Sequence, residues 1–148
     1  MVTRDRSDKA AEGLYSICYV NAFQTQHYAL SWRKNHHPTL LLRSSRTNHL
    51  VHDPGWPGEV LIDIRTKGKR DAAAEVVGKW FAKCATDGFK AIEPDNLDSW
   101  TRSRKYLTER DAILFARRLV GRAHAPGLAI AQKNTPELST KGLGFDFA

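Results

Sequence analysis

The chain has 148 residues, 23 Lys plus Arg against 16 Asp plus Glu, and an apolar share of 41%. That length suits one domain, and the aliphatic and aromatic content excludes a disordered chain. No stretch approaches the roughly 18 apolar residues of a membrane span, and the first nine residues, MVTRDRSDK, lack the apolar core of a standard signal peptide.

In chain order, the sequence predicts a short charged helix at Asp5 to Glu12, then a β-branched and aromatic strand at Leu14 to Asn21. A second strand is expected at Val60 to Ile64, after the turn-rich Asp53 to Glu59 (DPGWPGE). From Lys69 to Ala85 the apolar positions Ala73, Val76, Val77, Trp80, Phe81 and Cys84 recur at helical spacing, and Gly88 ends the run. Lys90 to Pro94 is the third strand. Thr108 and Asp111 open a helix to His124 with a buried face of Ala112, Phe115, Ala116, Leu119, Val120 and Ala123. Leu128 to Lys133 and Phe145 to Ala148 complete the strands. Strands alternating with helices imply parallel βαβ units. No GxGxxG loop opens a helix, which argues against a dinucleotide fold and leaves an α/β partial (β/α)8 barrel, since a whole barrel needs about 250 residues. The expected organisation is an N-terminal helix remnant at 1–13 and a barrel domain at 14–148. A sheet with open edges also predicts self-association.

The formal charge of +7 raises anionic partners. Its densest runs, Arg65 to Arg70 and Arg102 with Arg104 and Lys105, lack a recognition helix or RNA-binding pattern, so both read as solvated loop charge and no nucleic acid is expected. Cys18 and Cys84, 66 positions apart, fit no metal spacing and read as buried thiols. The histidines supply no ligand pair, and no metal or cofactor is expected.

Strand side chains alternate between faces. In VLIDIR this puts Leu61, Asp63 and Arg65 inward, in KAIEPDN Ala91, Glu93 and Asp95, and in LAIAQKN Ala129, Ala131 and Lys133; Ile17, Tyr19 and Asn21 are assigned to the same interior. Acids and a lysine therefore gather at the C-terminal strand ends. Glu93 and Asp95, with Cβ atoms about 7 Å apart, repel by about 2.4 kcal/mol at an effective dielectric near 20. Such a pair suits the division into proton donor and ionised partner that work on a glycosidic bond requires. Lys133 or Arg65 could offset the repulsion, and solvated strand ends with a structural salt bridge are the alternative.

ICYVNAFQTQ, WPGEVLIDIR, GFKAIEPDNLDSW, GLAIAQKN with TPEL, and the terminal FDFA together resemble the endo-α-1,4-polygalactosaminidase barrels of glycoside hydrolase family 114. The most specific element is EPDN with a second acid, Glu93 to Asn96 and Asp98, supported by Lys133 and Asn134. The resemblance implies a secreted hydrolase of α-1,4-linked galactosamine polymers with Asp95 as a catalytic carboxylate and Glu93 as catalytic partner, ligand or modulator. Asp63, Arg65, Tyr19, Asn21, Asn96, Asp98, Lys133 and Asn134 would line the site, and Trp100 would stack on a sugar, with Trp32 and Trp56 as packing residues. It further implies an earlier strand with its own acidic residues, which this chain is expected to lack, and a glutamate beyond FDFA. A carbohydrate-binding barrel without hydrolysis is the other functional expectation.

Overall fold

The computed structural model describes residues 1–148, the side chain of Thr140 excepted. Its main sheet contains β1 (Val2–Asp5), β2 (Ser16–Asn21), β5 (Ala91–Asp95) and β6 (Ala129–Ile130), in the order β1-β2-β5-β6 with every pairing parallel. Two long helices make the crossovers: α2 (Lys67–Thr86) between β2 and β5, and α3 (Glu109–His124) between β5 and β6. Between β2 and α2 the chain leaves this sheet. There β3 (Gln24–Thr25) pairs antiparallel with β4 (Val60–Leu61), with further antiparallel bridges at Leu41–Ile62, Arg43–Leu50 and His52–Val60. A short helix α1 (Leu30–His36) lies within the same excursion.

Helix α2 starts where the Thr66 hydroxyl accepts from the Lys69 amide, and Gly88, at φ +91°, makes the left-handed turn beyond its end. Ala73, Val76, Val77, Phe81 and Cys84 are all buried from it, as are Ala112, Phe115, Ala116, Leu119, Val120 and Ala123 from α3. Thr108 and Asp111 cap α3 reciprocally. Phe115 meets Phe23 edge-on at 5.0 Å, tying the α3 face to the segment just after β2.

The structure corrects four expectations. Residues 5–12 are not helical: Val2–Asp5 is a strand paired to β2, because a four-residue alternating segment can satisfy its backbone on a neighbouring edge. Val60 to Ile64 does not join the parallel sheet; alternation reports a strand but not its neighbour, and here both faces are covered, with Val60, Leu61, Ile62, Asp63 and Ile64 all at most 1% exposed. Phe145 to Ala148 makes only one parallel bridge, Phe147 to Ala131. Cys18 and Cys84 are not free thiols but a disulfide joining β2 to α2, with Cα atoms 6.2 Å apart.

Candidate active site

Pairing register builds the site. Parallel neighbours project the same way, so the alignments Asp5–Tyr19, Tyr19–Glu93 and Asn21–Asp95 set these residues on the face opposite the helices. The even positions Cys18, Val20, Ile92 and Ile130 fill the core instead. Continuing the β5–β6 register brings Lys133 beside Asp95.

Asp95 has both oxygens engaged. The Tyr19 hydroxyl donates to Oδ2 at 2.6 Å and the Asn96 amide to Oδ1 at 2.9 Å. Lys133 Nζ donates to Glu93 Oε1 at 2.8 Å and stands 3.6 Å from Asp95 Oδ1, so one ammonium offsets the repulsion between the two carboxylates. It also lies 5.0 Å from the centre of the Tyr19 ring. Burial, then the Asp95 hydrogen bond and the nearby charges of Asp95, Glu59 and Asp5, push the Tyr19 phenol up, which keeps it a donor. Burial by itself would lower Lys133, but its hydrogen bond to Glu93 and the two carboxylate charges raise it.

The excursion after β2 folds back over these strand ends. Glu59 Oε2 accepts from Asn21 Nδ2 at 3.1 Å and Gln24 Nε2 at 2.6 Å, and Asn21 Oδ1 in turn accepts from Asn96 Nδ2 at 2.9 Å. Arg102 donates to Asp53 at 2.7 Å, pairs with Asp98 at 2.8 Å, and reaches the Gln24 and Asn96 side-chain oxygens at 3.2 Å each. A cavity of about 320 Å³ opens among Asp95, Asn96, Asn134, Asp98, Asp53 and Trp56. Its walls carry backbone strain: Asn96 at φ +66° and Asn134 at +65° are left-handed, as is the β-branched Thr135 that follows at +47°. Strain of this kind persists where surrounding structure over-determines it, commonly at functional sites.

Tyr19, Asn21, Glu93, Asp95, Asn96, Asp98, Lys133 and Asn134 are thus brought to one end of the sheet. Asp63 and Arg65 are not: they line a separate cavity with Pro38, Thr39, Arg43 and Lys69, because their strand belongs to the antiparallel layer. There Arg65 grips Asp63 through Nε at 3.0 Å and Nη2 at 2.8 Å, with Lys69 Nζ at 2.5 Å. The two tryptophans also differ in setting. Trp100 packs against the hydrophobic core, whereas Trp56, expected to pack, is 69% exposed at the cavity. Among the described residues, no three His, Cys, Asp or Glu side chains are placed to hold a metal ion, and no helix is long and apolar enough to cross a membrane.

The sequence model of glycoside-hydrolase family GH114 matches residues 2–148. The chain belongs to that family. Among solved structures it is similar to Aspergillus fumigatus Ega3 in complex with galactosamine, at 26% identity and TM-score 0.63, over 85% of this chain and 45% of that one. The glycoside hydrolase domain of PelA from Pseudomonas aeruginosa shares the fold at 17% identity and TM-score 0.54, over 91% of this chain and 50% of that one. TtGalA, an alpha-galactosidase from Thermus thermophilus solved with p-nitrophenyl alpha-D-galactopyranoside, aligns at 20% identity and TM-score 0.56, over 80% of this chain and 23% of that one. No curated protein sequence matches. The chain spans about half the length of the first two of these structures. Its parallel strands with helical crossovers are part of a (β/α)8 barrel of the glycoside hydrolase kind.

In this GH114 chain, β1 is a first strand ending in an acid, Asp5, which pattern reading misses because the strand is only four residues long. Glu59, Asp53, Gln24 and Arg102 are also missed as site residues. Glu59 had a signal, standing between a Pro-Gly turn and a strand, but the loop it ends gave no indication of folding onto β2 and β5.

Proposed function

We propose that this chain carries the catalytic rim of a glycoside hydrolase acting on an amino-sugar polysaccharide, α-1,4-linked galactosamine, with Asp95 as a catalytic carboxylate. One observation carries the reading: Asp95 ends a parallel strand, the position where (β/α)8 enzymes hold their chemistry, and a phenol and a backbone amide fix both of its oxygens beside an open cavity. Glu93 is engaged by Lys133 and acts as a modulator of the site. The substrate amine is read by Glu59. Its carboxylate accepts from two neutral amides and has no cation within ion-pair distance among the described residues, so its charge stays available to an ammonium group despite the chain's positive balance. Trp56 offers a ring face to the sugar. The Cys18–Cys84 disulfide suits an oxidising, secreted setting. The outer edge of β1, unpaired among the described residues, favours self-association, which sedimentation would reveal.

The test is release of reducing ends from α-1,4-galactosamine oligomers. Asp95→Asn should lower turnover by about 10³-fold with the fold intact, and retained turnover removes Asp95 from its role. Glu59→Gln should raise KM with kcat little changed. Binding of oligomer without release of reducing ends selects the binding-module reading instead.

A further inference from the structure

The two basic runs that look dispersed along the sequence converge in space. The antiparallel excursion carries Arg43 and Arg46, the entry to α2 carries Arg65 and Lys69, and the loop after β5 carries Arg104 and Lys105. These six cations line three cavities of about 410, 550 and 570 Å³. The cavities are contiguous: the first two share Arg43 and Asn48, the first and third share Ser44 and Ser45, and the last two share Thr47 and Arg104. One carboxylate, Asp63, lies in their lining; it is 1% exposed and already held by Arg65 and Lys69. Most of the chain's positive excess therefore sits on this face, in cavities that share no lining residue with the one at Asp95. Arg104 and Lys105 are held there by consecutive left-handed backbone conformations, φ +55° and +66°, a conformation that costs energy in non-glycine residues.

We propose that this basic face binds an acidic polysaccharide, a chain bearing uronate carboxylates. Guanidinium forks match planar carboxylates in two-point contacts, and each cavity falls within the roughly 300–1,000 Å³ usual for small-ligand sites. Hydroxyl and amide groups of Ser45, Thr47 and Asn48 stand between the cations, matching a ligand whose charges are separated by hydroxyls. A nucleic acid strand calls for exposed rings on which bases stack. The face offers three rings, of Tyr106, His49 and His52, with no Trp or Phe among them; the Tyr106 hydroxyl is tied to Ser44 at 2.9 Å and the His52 ring to the Pro57 carbonyl at 2.8 Å. This inference is independent of hydrolysis at Asp95.

The test titrates the full chain with polygalacturonate, with neutral dextran, and with a thymidine oligonucleotide of equal charge, between about 20 and 300 mM salt. Expected is polygalacturonate binding that weakens steeply with salt, with dextran not bound. The combined Arg46→Gln, Arg104→Gln and Lys105→Gln variant should lose about tenfold or more in affinity, with an unchanged far-UV spectrum. Arg46→Gln alone, an exposed position, should lose a measurable part and serves if the triple variant does not fold. A control variant with Lys9, Lys79 and Lys90 changed to Gln, on other surfaces, should keep full affinity. Equal losses in variant and control, no preference over dextran, or an oligonucleotide bound as tightly as polygalacturonate would each overturn the proposal.

Discussion

The rim and the basic face are mirror images in charge. At the rim, Lys133 stands between Glu93 and Asp95; on the basic face, Asp63 stands between Arg65 and Lys69. Each region tolerates its like charges through one counter-ion, yet they are assembled differently. The rim follows from strand register, which fixes neighbours every second residue along β2 and β5. The basic face is assembled by an excursion from the sheet: its central cluster is local, Asp63 binding residues two and six positions away, and the remaining cations arrive on separate loops. One consequence is a difference in solvation: Asp63 is buried at 1% exposure, while Lys133 keeps 36% of its side chain in water. The counter-ion of the basic face should therefore matter more to stability.

The largest expected effect removes the link between the regions. Cys18 lies in rim strand β2 and Cys84 in α2, whose first turn bears Lys69. Cys18→Ala with Cys84→Ala reopens a loop with a sequence separation of 66, which chain-entropy arguments value at about 4 kcal/mol. Denaturant melts should show that loss, matched by the reduced parent protein; a smaller loss would mean the two regions hold together without the bond.

Asp63→Asn comes next. It leaves Arg65 and Lys69 without their carboxylate, at an expected cost of about 2 kcal/mol at neutral pH, discounted from the buried-pair range because both cations are partly solvated. Burial would raise the Asp63 carboxyl, but hydrogen bonds from Arg65, Lys69 and the Arg65 amide leave it below its ordinary value. A depressed carboxyl contributes stability above its unfolded pKa and loses it as pH falls through the folded one. The gap between parent and Asp63→Asn should accordingly be full at pH 7 and close below about pH 4. A gap that widens in acid would break the assigned role of Asp63.

The same difference in assembly decides what sequence alone reveals. Alternation correctly separates Tyr19, Asn21, Glu93 and Asp95 from Cys18, Val20, Ile92 and Pro94, because a parallel strand with one face on helices imposes period two. Helical periodicity gives both buried stripes for a similar reason. Asp63 alternates just as cleanly and still lies elsewhere, since periodicity carries no information about which strand a segment pairs with. Glu59 and Asp53 reach the rim from a loop, where no period applies. The disulfide rests on long-range contact between β2 and α2, which two isolated cysteines do not announce.

The smallest effect is expected at Lys133. Replacing it with Met leaves Glu93 and Asp95 facing each other on β5 without their shared cation, and a half-solvated charged hydrogen bond of this kind contributes about 1 kcal/mol. Because the Lys133 ammonium is raised by Glu93 and Asp95 against the opposing effect of burial, its contribution is complete below the unfolded lysine pKa and disappears as pH rises through the folded one. Parent and Lys133→Met should thus differ at pH 7 and converge above about pH 10.5, the opposite end of the scale from Asp63. Tyr19 supplies an internal control: its phenol, pushed up by burial and by Asp95, stays a donor through the same interval, so the alkaline convergence reports the ammonium and not loss of the Tyr19–Asp95 bond. A difference between parent and Lys133→Met that persists unchanged into alkali would assign Lys133 a packing role on the Tyr19 ring in place of an electrostatic one.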